Sequence, residues 1–216
     1  MKPYTYCFWD LDGTLIDSAP GVTGCVRYAL EQLGCTVAQG QDLTCFIGPP
    51  LLYGFSHFCG LSEADSHRAV ALYRERYSAG GLFECRIYDG IVDTLAALRA
   101  HGVTNVLATC KPEVYATRIL EHTGLSEYFS LVSGPTLSGV RNEKHEVIAH
   151  AAEQLHLSDP ACVLMVGDRN SDVTGARENG IDTVGVLWGF GTQKELEDAG
   201  ARAILTAPHD LLQYFQ

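Results

Sequence analysis

Paired-cysteine motifs are missing from this chain of 216 residues. Its eight cysteines (Cys7, Cys25, Cys35, Cys45, Cys59, Cys85, Cys110 and Cys162) form no C-x-x-C pair, which argues against a zinc site. Several lie in apolar runs and read as small buried hydrophobes, so a reducing setting fits better than a disulfide scaffold. Positive charge is also scarce: 15 Lys and Arg face 26 Asp and Glu, a net charge of -11. A nucleic-acid binder would need a basic face. A phosphate substrate is still compatible, because a bound cation and one or two lysines can reverse the field inside a pocket. No apolar run approaches the roughly 20 residues of a membrane helix. The N-terminus enters the first predicted strand with no signal-peptide pattern. There is no internal repeat and no low-complexity tract. The expectation is a soluble, cytoplasmic protein that binds neither nucleic acid nor membrane. With 46% hydrophobic and 19% charged residues, it has material for one large domain or a core with a smaller insert.

What is present centres on Phe8-Trp9-Asp10-Leu11-Asp12-Gly13-Thr14. An apolar, β-prone run from Tyr4 to Trp9 ends in two acids. Alternation along an extended chain sends Asp10 and Asp12 to the same side. Two close carboxylates repel unless a cation lies between them or one keeps its proton. Mg²⁺ suits such a site, since it takes oxygen ligands, few of them carboxylates. Gly13 allows close backbone approach, and Thr14 can turn the chain and offer a hydroxyl. The functional reading is a nucleophilic aspartate followed by an acid/base aspartate around Mg²⁺. The structural reading is a solvated strand-to-loop turn, for which Asp-Gly is a common pair. These seven residues leave both open.

Past Asp12 the apolar period becomes helical. A helix is predicted over about Pro20–Leu33, stopped by Gly34. A second helical stretch begins near Asp42, is broken by Gly48-Pro49-Pro50, and resumes over Leu51–Phe58. Ser62 caps a third helix that runs to about Ser78 and ends at Gly80-Gly81. No strong strand signal appears between Leu15 and Cys85. From Gly90 onward strands and helices alternate, which implies a parallel sheet covered on both faces, with ligands at the carboxyl ends of its strands. The predicted fold is therefore α/β: a Rossmann-like parallel-sheet core over residues 1–15 and 86–216, with an inserted all-helical unit over 16–85.

Three further stretches lie at predicted strand ends or helix starts. Thr109, in Ala108-Thr109-Cys110-Lys111-Pro112, sits where a strand passes into a helix. It can bind an anion together with free helix amides, or serve as a plain helix cap. Lys144, in Arg141-Asn142-Glu143-Lys144, opens a helix; it could neutralise phosphate and steady a nucleophile, or be a solvated surface lysine. Lys111 competes with it for that role. Gly167-Asp168 leaves the most hydrophobic strand in the chain, and Asp172 follows four residues on. This pair can form a metal site or simply favour the dipole of the helix it opens.

Asp10-Leu11-Asp12-Gly13-Thr14-Leu15 resembles the first motif of the haloacid dehalogenase superfamily, in its phosphatase branch, and Ile16-Asp17-Ser18 fits that branch too. Thr109, Lys144 and Gly167-Asp168 with Asp172 resemble the second, third and fourth motifs, in the family's order. The helical insert resembles the family's mobile cap, in the version placed after the first motif. The resemblance implies an Mg²⁺-dependent phosphomonoester hydrolase acting through an aspartyl-phosphate. Asp10 would be the nucleophile, and Asp12 the acid and then the base. Thr109 and Lys144 would hold the phosphoryl oxygens, with Gly13, Cys110 and Gly48 among the substrate-binding positions. Asp10, the backbone carbonyl of Asp12, and Asp168 would hold Mg²⁺, with Asp172 at or beside the ion.

A phosphomutase shares these motifs and is the nearest rival. A dehalogenase fits less well, because Asp12 is present. A receiver-like switch, phosphorylated on aspartate, would need neither the insert nor the Asp-x-Asp-Gly-Thr spacing. Ile47-Gly48-Pro49-Pro50-Leu51-Leu52, Tyr73 to Tyr77 and Gly185 to Gly191 resemble a 5′-nucleotidase-like subgroup of the phosphoglycolate-phosphatase-like proteins. The expected substrate is a small phosphorylated metabolite, either a nucleoside monophosphate or phosphoglycolate. Phe46, Tyr53 and Arg76 are candidates to meet a base or sugar, or are core or surface of the insert. Gly48-Pro49-Pro50 is the candidate specificity loop.

Overall fold

The computed structural model describes residues 4–215. Strand β1 (Tyr6–Trp9) opens the chain. A two-residue strand, β2 (Ile16–Asp17), leads into helices α1 (Ala19–Gln32), α2 (Leu51–His57) and α3 (Glu63–Ala79). Strand β3 (Arg86–Ile87) pairs with β2 as a small separate sheet. Then come α4 (Ile91–Ala100), β4 (Thr104–Ala108), α5 (Glu113–Thr123), β5 (Phe129–Ser133) and α6 (Lys144–Gln154). The chain continues through β6 (Val163–Gly167), α7 (Asn170–Glu178), β7 (Asp182–Val186), α8 (Gln193–Ala199) and β8 (Ala203–Leu205).

Six strands form one parallel sheet in the order β5-β4-β1-β6-β7-β8. The first strand lies in the middle because the chain builds outward from it twice, first through β4 and β5, then through β6, β7 and β8. In open parallel sheets ligands bind outside the carboxyl ends of the strands at such a switch point. Register makes the site compact: Trp9 pairs with Leu107 on one side and Val166 on the other. The residues leaving β4, β1 and β6 therefore emerge side by side.

Burial explains why β1 and β6 read as nearly continuous apolar runs. Cys7, Phe8, Trp9 and Val163 through Val166 are all fully buried, as expected for central strands covered on both faces. Phe8, Val106, Met165 and Ala176 pack with Val147, Ile148 and Ala151 of α6 in one cluster. Each such large side chain contributes roughly 1.5–3 kcal/mol. The indole of Trp9 donates to Asn105 Oδ1 at 3.0 Å, so the one polar group of that buried side chain is satisfied.

Contacts divide the chain into two units, residues 1–17 with 87–216, and Ser18–Arg86. The second unit is helical, and α1 packs on α3 within it. Ser62 Oγ accepts from Asp65 N at 3.1 Å, as the sequence predicts for the start of α3. Arg76 reaches Glu84 at 3.0 Å and Cys25 Sγ at 3.0 Å, tying that helix to its neighbours.

Several expectations differ from the structure. The helical stretch near Asp42 is only a 3-10 turn at Thr44–Phe46. Asp42 Oδ1 takes both the backbone N and the hydroxyl of Thr44, a local bonding pattern that competes with helix. The chain closes on a 3-10 segment, Pro208–Tyr214. Strands β2 and β3 are two residues each, too short to carry a period.

Candidate active site

Asp10 is the first residue past β1, and its backbone N–H still donates to Val166 O at 3.0 Å. That bond fixes the carboxylate at the carboxyl edge of the sheet. Lys144 opens α6 and reaches back to it, with Nζ 2.9 Å from Asp10 Oδ1, 2.8 Å from Asp172 Oδ1 and 3.1 Å from Ala108 O. Three acceptors use all three protons of the ammonium. Burial works against that charge, but Asp10 and Asp172 outweigh it and hold the lysine well above its ordinary pKa. Lys144 is thus a buried, permanent cation.

Asp168 leaves β6 and is fully buried. Its Oδ2 accepts from the backbone N of Phe190 at 2.8 Å, and its Oδ1 lies 3.4 Å from Thr14 Oγ1. Burial, with Asp172 and Asp10 adding like charge, pushes its pKa up to about 8. Asp172 Oδ2 accepts from Arg169 N at 3.0 Å. Burial pushes Asp172 up to about 6 against the pull of Lys144. One carboxylate oxygen each from Asp10, Asp168 and Asp172 lies within 4.8 Å of the others. Three buried acids with a single lysine between them leave negative charge to be offset, and their donor atoms are all oxygen. The set fits a small hard cation such as Mg²⁺. The side chain of Asp12 lies outside this cluster among the described residues.

The other sequence candidates fall around the same point. Thr109 follows β4, is buried, and its N–H donates to Ser133 O at 3.0 Å. Its Oγ1 accepts from Lys111 N at 3.2 Å. Cys110 lies between them, and burial pushes its thiol up to about 11, so it is neutral at pH 7. Gly13 has φ +79°, and a Cβ there would stand 2.2 Å from Asp168 Oδ2. Glycine is needed both for the conformation and for the approach.

Sequence reasoning weighed Lys111 only as a rival to Lys144, whereas the structure gives each its own acid. Lys111 Nζ is 2.9 Å from Asp12 Oδ2. It also read Gly185 to Gly191 only as a subgroup mark. The part of that stretch beyond β7 packs against the site. Trp188 Nε1 donates to Thr14 O at 2.9 Å, and a Cβ on Gly189 would stand 2.2 Å from Gly13 O. A Cβ on Gly191 would meet the carbonyl of Asp168. The Gly-x-Gly spacing after a buried strand was the available signal, since it marks close backbone approach.

Gly48 belongs to the helical unit, at φ +101°. Of the aromatic and basic candidates there, Phe46 is buried between Phe55 and Phe58, with ring centroids 5.0 and 5.6 Å away. Arg76 is committed to Glu84 and Cys25. Tyr53 is about half exposed and stacks on His57 at 4.8 Å.

Comparison with known proteins agrees with this geometry. The profile of the family described as "Haloacid dehalogenase-like hydrolase" matches residues 7–186, and the chain belongs to that family. A Pseudomonas aeruginosa protein named 5′-nucleotidase is 42% identical over 193 residues, covering 89% of this chain and 87% of that one. A Mycobacterium tuberculosis protein named tyrosine-protein kinase PtkA is 43% identical over 183 residues, 85% of this chain but 62% of that longer one. The crystal structure of a predicted phosphatase from Clostridium acetobutylicum superposes with a TM-score of 0.91 at 39% identity, covering 98% of each chain.

Proposed function

We propose that this protein is an Mg²⁺-dependent phosphomonoester hydrolase that works through an aspartyl-phosphate on Asp10. The observation that supports it most directly is the placement of Asp10. It projects from the central strand, its charge is held by Lys144 at 2.9 Å, and it lies beside the buried acids Asp168 and Asp172. A carboxylate is a recognised covalent nucleophile for phosphoryl transfer. Asp10 forms a bond to phosphorus as the ester P–O bond breaks. Asp12 gives a proton to the departing oxygen, then takes one from the water that cleaves the intermediate. Lys144 orients Asp10, and Thr109 binds the phosphoryl oxygens. Cys110 and Gly13 complete the wall of the phosphate site through their backbone. Asp10, the carbonyl of Asp12, and Asp168 would hold Mg²⁺, with Asp172 beside them; bound there, it would offset the charge between an anionic carboxylate and an anionic phosphate.

The helical unit, Ser18–Arg86, serves as a cap that selects the leaving group. Gly48-Pro49-Pro50 is its specificity loop, and the crossings near Asp17 and before Gly90 are its hinges. The 5′-nucleotidase name of one relative favours a nucleoside monophosphate as substrate, with phosphoglycolate second. Among the described residues no helix is long and apolar enough to cross a membrane.

The test is phosphate release from nucleoside monophosphates, phosphoglycolate, sugar phosphates and an aryl phosphate, with and without Mg²⁺, for the native chain and Asp10→Asn. Release that needs Mg²⁺ and disappears in Asp10→Asn supports the proposal. The same panel should contain ATP with a tyrosine-bearing acceptor, in view of the kinase name of one relative. Transfer to tyrosine, or interconversion of sugar phosphates without release, would overturn it in favour of a kinase or a mutase.

A further inference from the structure

The two buried lysines divide their work, and the geometry assigns the second a task of its own. We infer that Lys111 is the residue that positions Asp12 to protonate the leaving group. This rests on the phosphohydrolase reading above.

Lys144 is engaged by Asp10, Asp172 and Ala108 O. Lys111 sits at the other side of the site, with a side chain only 7% exposed and Nζ 2.9 Å from Asp12 Oδ2. It takes that one oxygen. Asp12 Oδ1 is buried and has no hydrogen-bond partner. The pairing therefore anchors one oxygen of Asp12 and leaves the other without a protein partner. Orientation of this kind is worth a large factor in a proton transfer, since donor and acceptor must be within hydrogen-bond reach.

The backbone around Lys111 is itself pinned. Its N–H donates to Thr109 Oγ1 at 3.2 Å, so the threonine assigned to the phosphate also sets the start of this side chain. A Cβ on Gly134 would lie 2.6 Å from Lys111 O, so glycine there lets the two segments close on each other. Pro112 follows at φ −49°, where α5 begins. The lysine is thus fixed from its backbone to its ammonium. In the step it supports, the Asp10 oxygen bonds to phosphorus, the ester P–O bond breaks, and the proton on the Asp12 carboxyl passes to the departing oxygen.

Leaving-group dependence separates this task from a merely structural one. An alkyl phosphate releases a poor leaving group that needs the proton, whereas a nitrophenyl phosphate releases one that leaves without it. First-turnover release of each leaving group is measured by rapid mixing with Mg²⁺ for the native chain, Lys111→Met, Lys111→Arg, Asp12→Asn and Asp10→Asn. The alkyl-to-aryl rate ratio is the readout, because it does not depend on what fraction of a preparation is folded. We expect that ratio to fall about 10- to 100-fold in Lys111→Met, in the same direction as in Asp12→Asn, with part of it restored in Lys111→Arg. An unchanged ratio in Lys111→Met, while Asp12→Asn shows the drop, would overturn the inference and leave the phosphohydrolase reading intact. Leaving-group release that persists in Asp10→Asn would overturn the reading itself.

Discussion

The sheet unit and the helical unit solve different problems. In the sheet unit, charged side chains are buried and paired across long sequence distances: Lys144 with Asp10 and Asp172, Lys111 with Asp12, Phe190 N with Asp168. In the helical unit, polar bonding is mostly local or near the surface, as with Ser62 and Asp65 or Asp42 and Thr44. Large apolar side chains there, Leu52, Tyr53 and Phe58, stay exposed. Pairing buried charge is worthwhile only where chemistry needs it, because desolvation is expensive and tolerates little misplacement. A small change in the sheet unit should therefore cost activity, and the same change in the helical unit, away from Gly48-Pro49-Pro50, only stability.

The largest expected effect tests the first half of that contrast. Asp10→Asn should lower turnover by roughly 10⁴-fold or more while leaving the thermal unfolding of the protein intact, read by phosphate release and calorimetry. Next comes a matched pair of glycines, both at positive φ. Gly13→Ala forces a methyl group to within 2.2 Å of Asp168 Oδ2, whereas Gly34→Ala meets nothing within 4 Å. The first should cost activity by roughly 100-fold or more. The second should cost only the backbone strain of about 1–2 kcal/mol, with kcat unchanged. Equal losses of activity in both would break the comparison.

A pH experiment reaches the buried acids directly. The pKa of Asp168 rises from 3.8 to about 8 on folding, so the metal-free folded state holds a proton there that the unfolded chain has lost. Metal-free stability should therefore be greatest below pH 4 as far as this group is concerned, and fall as pH rises from about 4 through 8. Asp168→Asn should flatten that slope and raise the metal-free Tm at pH 8, while abolishing stabilisation by added Mg²⁺. Native protein should release protons on binding Mg²⁺ near pH 7. A metal-free Tm that climbs steadily over this range in the native chain, but not in Asp168→Asn, would contradict the burial argument. The smallest effect belongs to the helical unit: Ser62→Ala removes the cap of α3 and should cost about 1 kcal/mol, with Mg²⁺ affinity untouched.

Much of this was legible in the chain. The alternation after Gly90 announced a parallel sheet, and the structure has one. Strong apolar runs, glycine stops and a serine cap act within a few residues, so sequence carries them directly. The two-residue strands and the 3-10 segments were not legible, because so few residues define no period. Candidate residues Asp10, Thr109, Lys144, Asp168 and Asp172 were legible as residue types at strand ends and helix starts.

The sequence by itself determined which residue types stand at the carboxyl ends of β1, β4 and β6, since strand ends and helix starts are written locally. Only the tertiary structure decided which partner each one has. Nothing in the order of the chain says that Lys144 faces Asp10 while Lys111 faces Asp12, or that the Trp188–Gly191 segment closes on Gly13 and Asp168. The pairings with Asp10, Asp12 and Gly13 join residues about 100 or more positions apart. They follow from the order in which parallel strands assemble and from the need of each buried charge for an opposite one, and both are properties of the packed molecule.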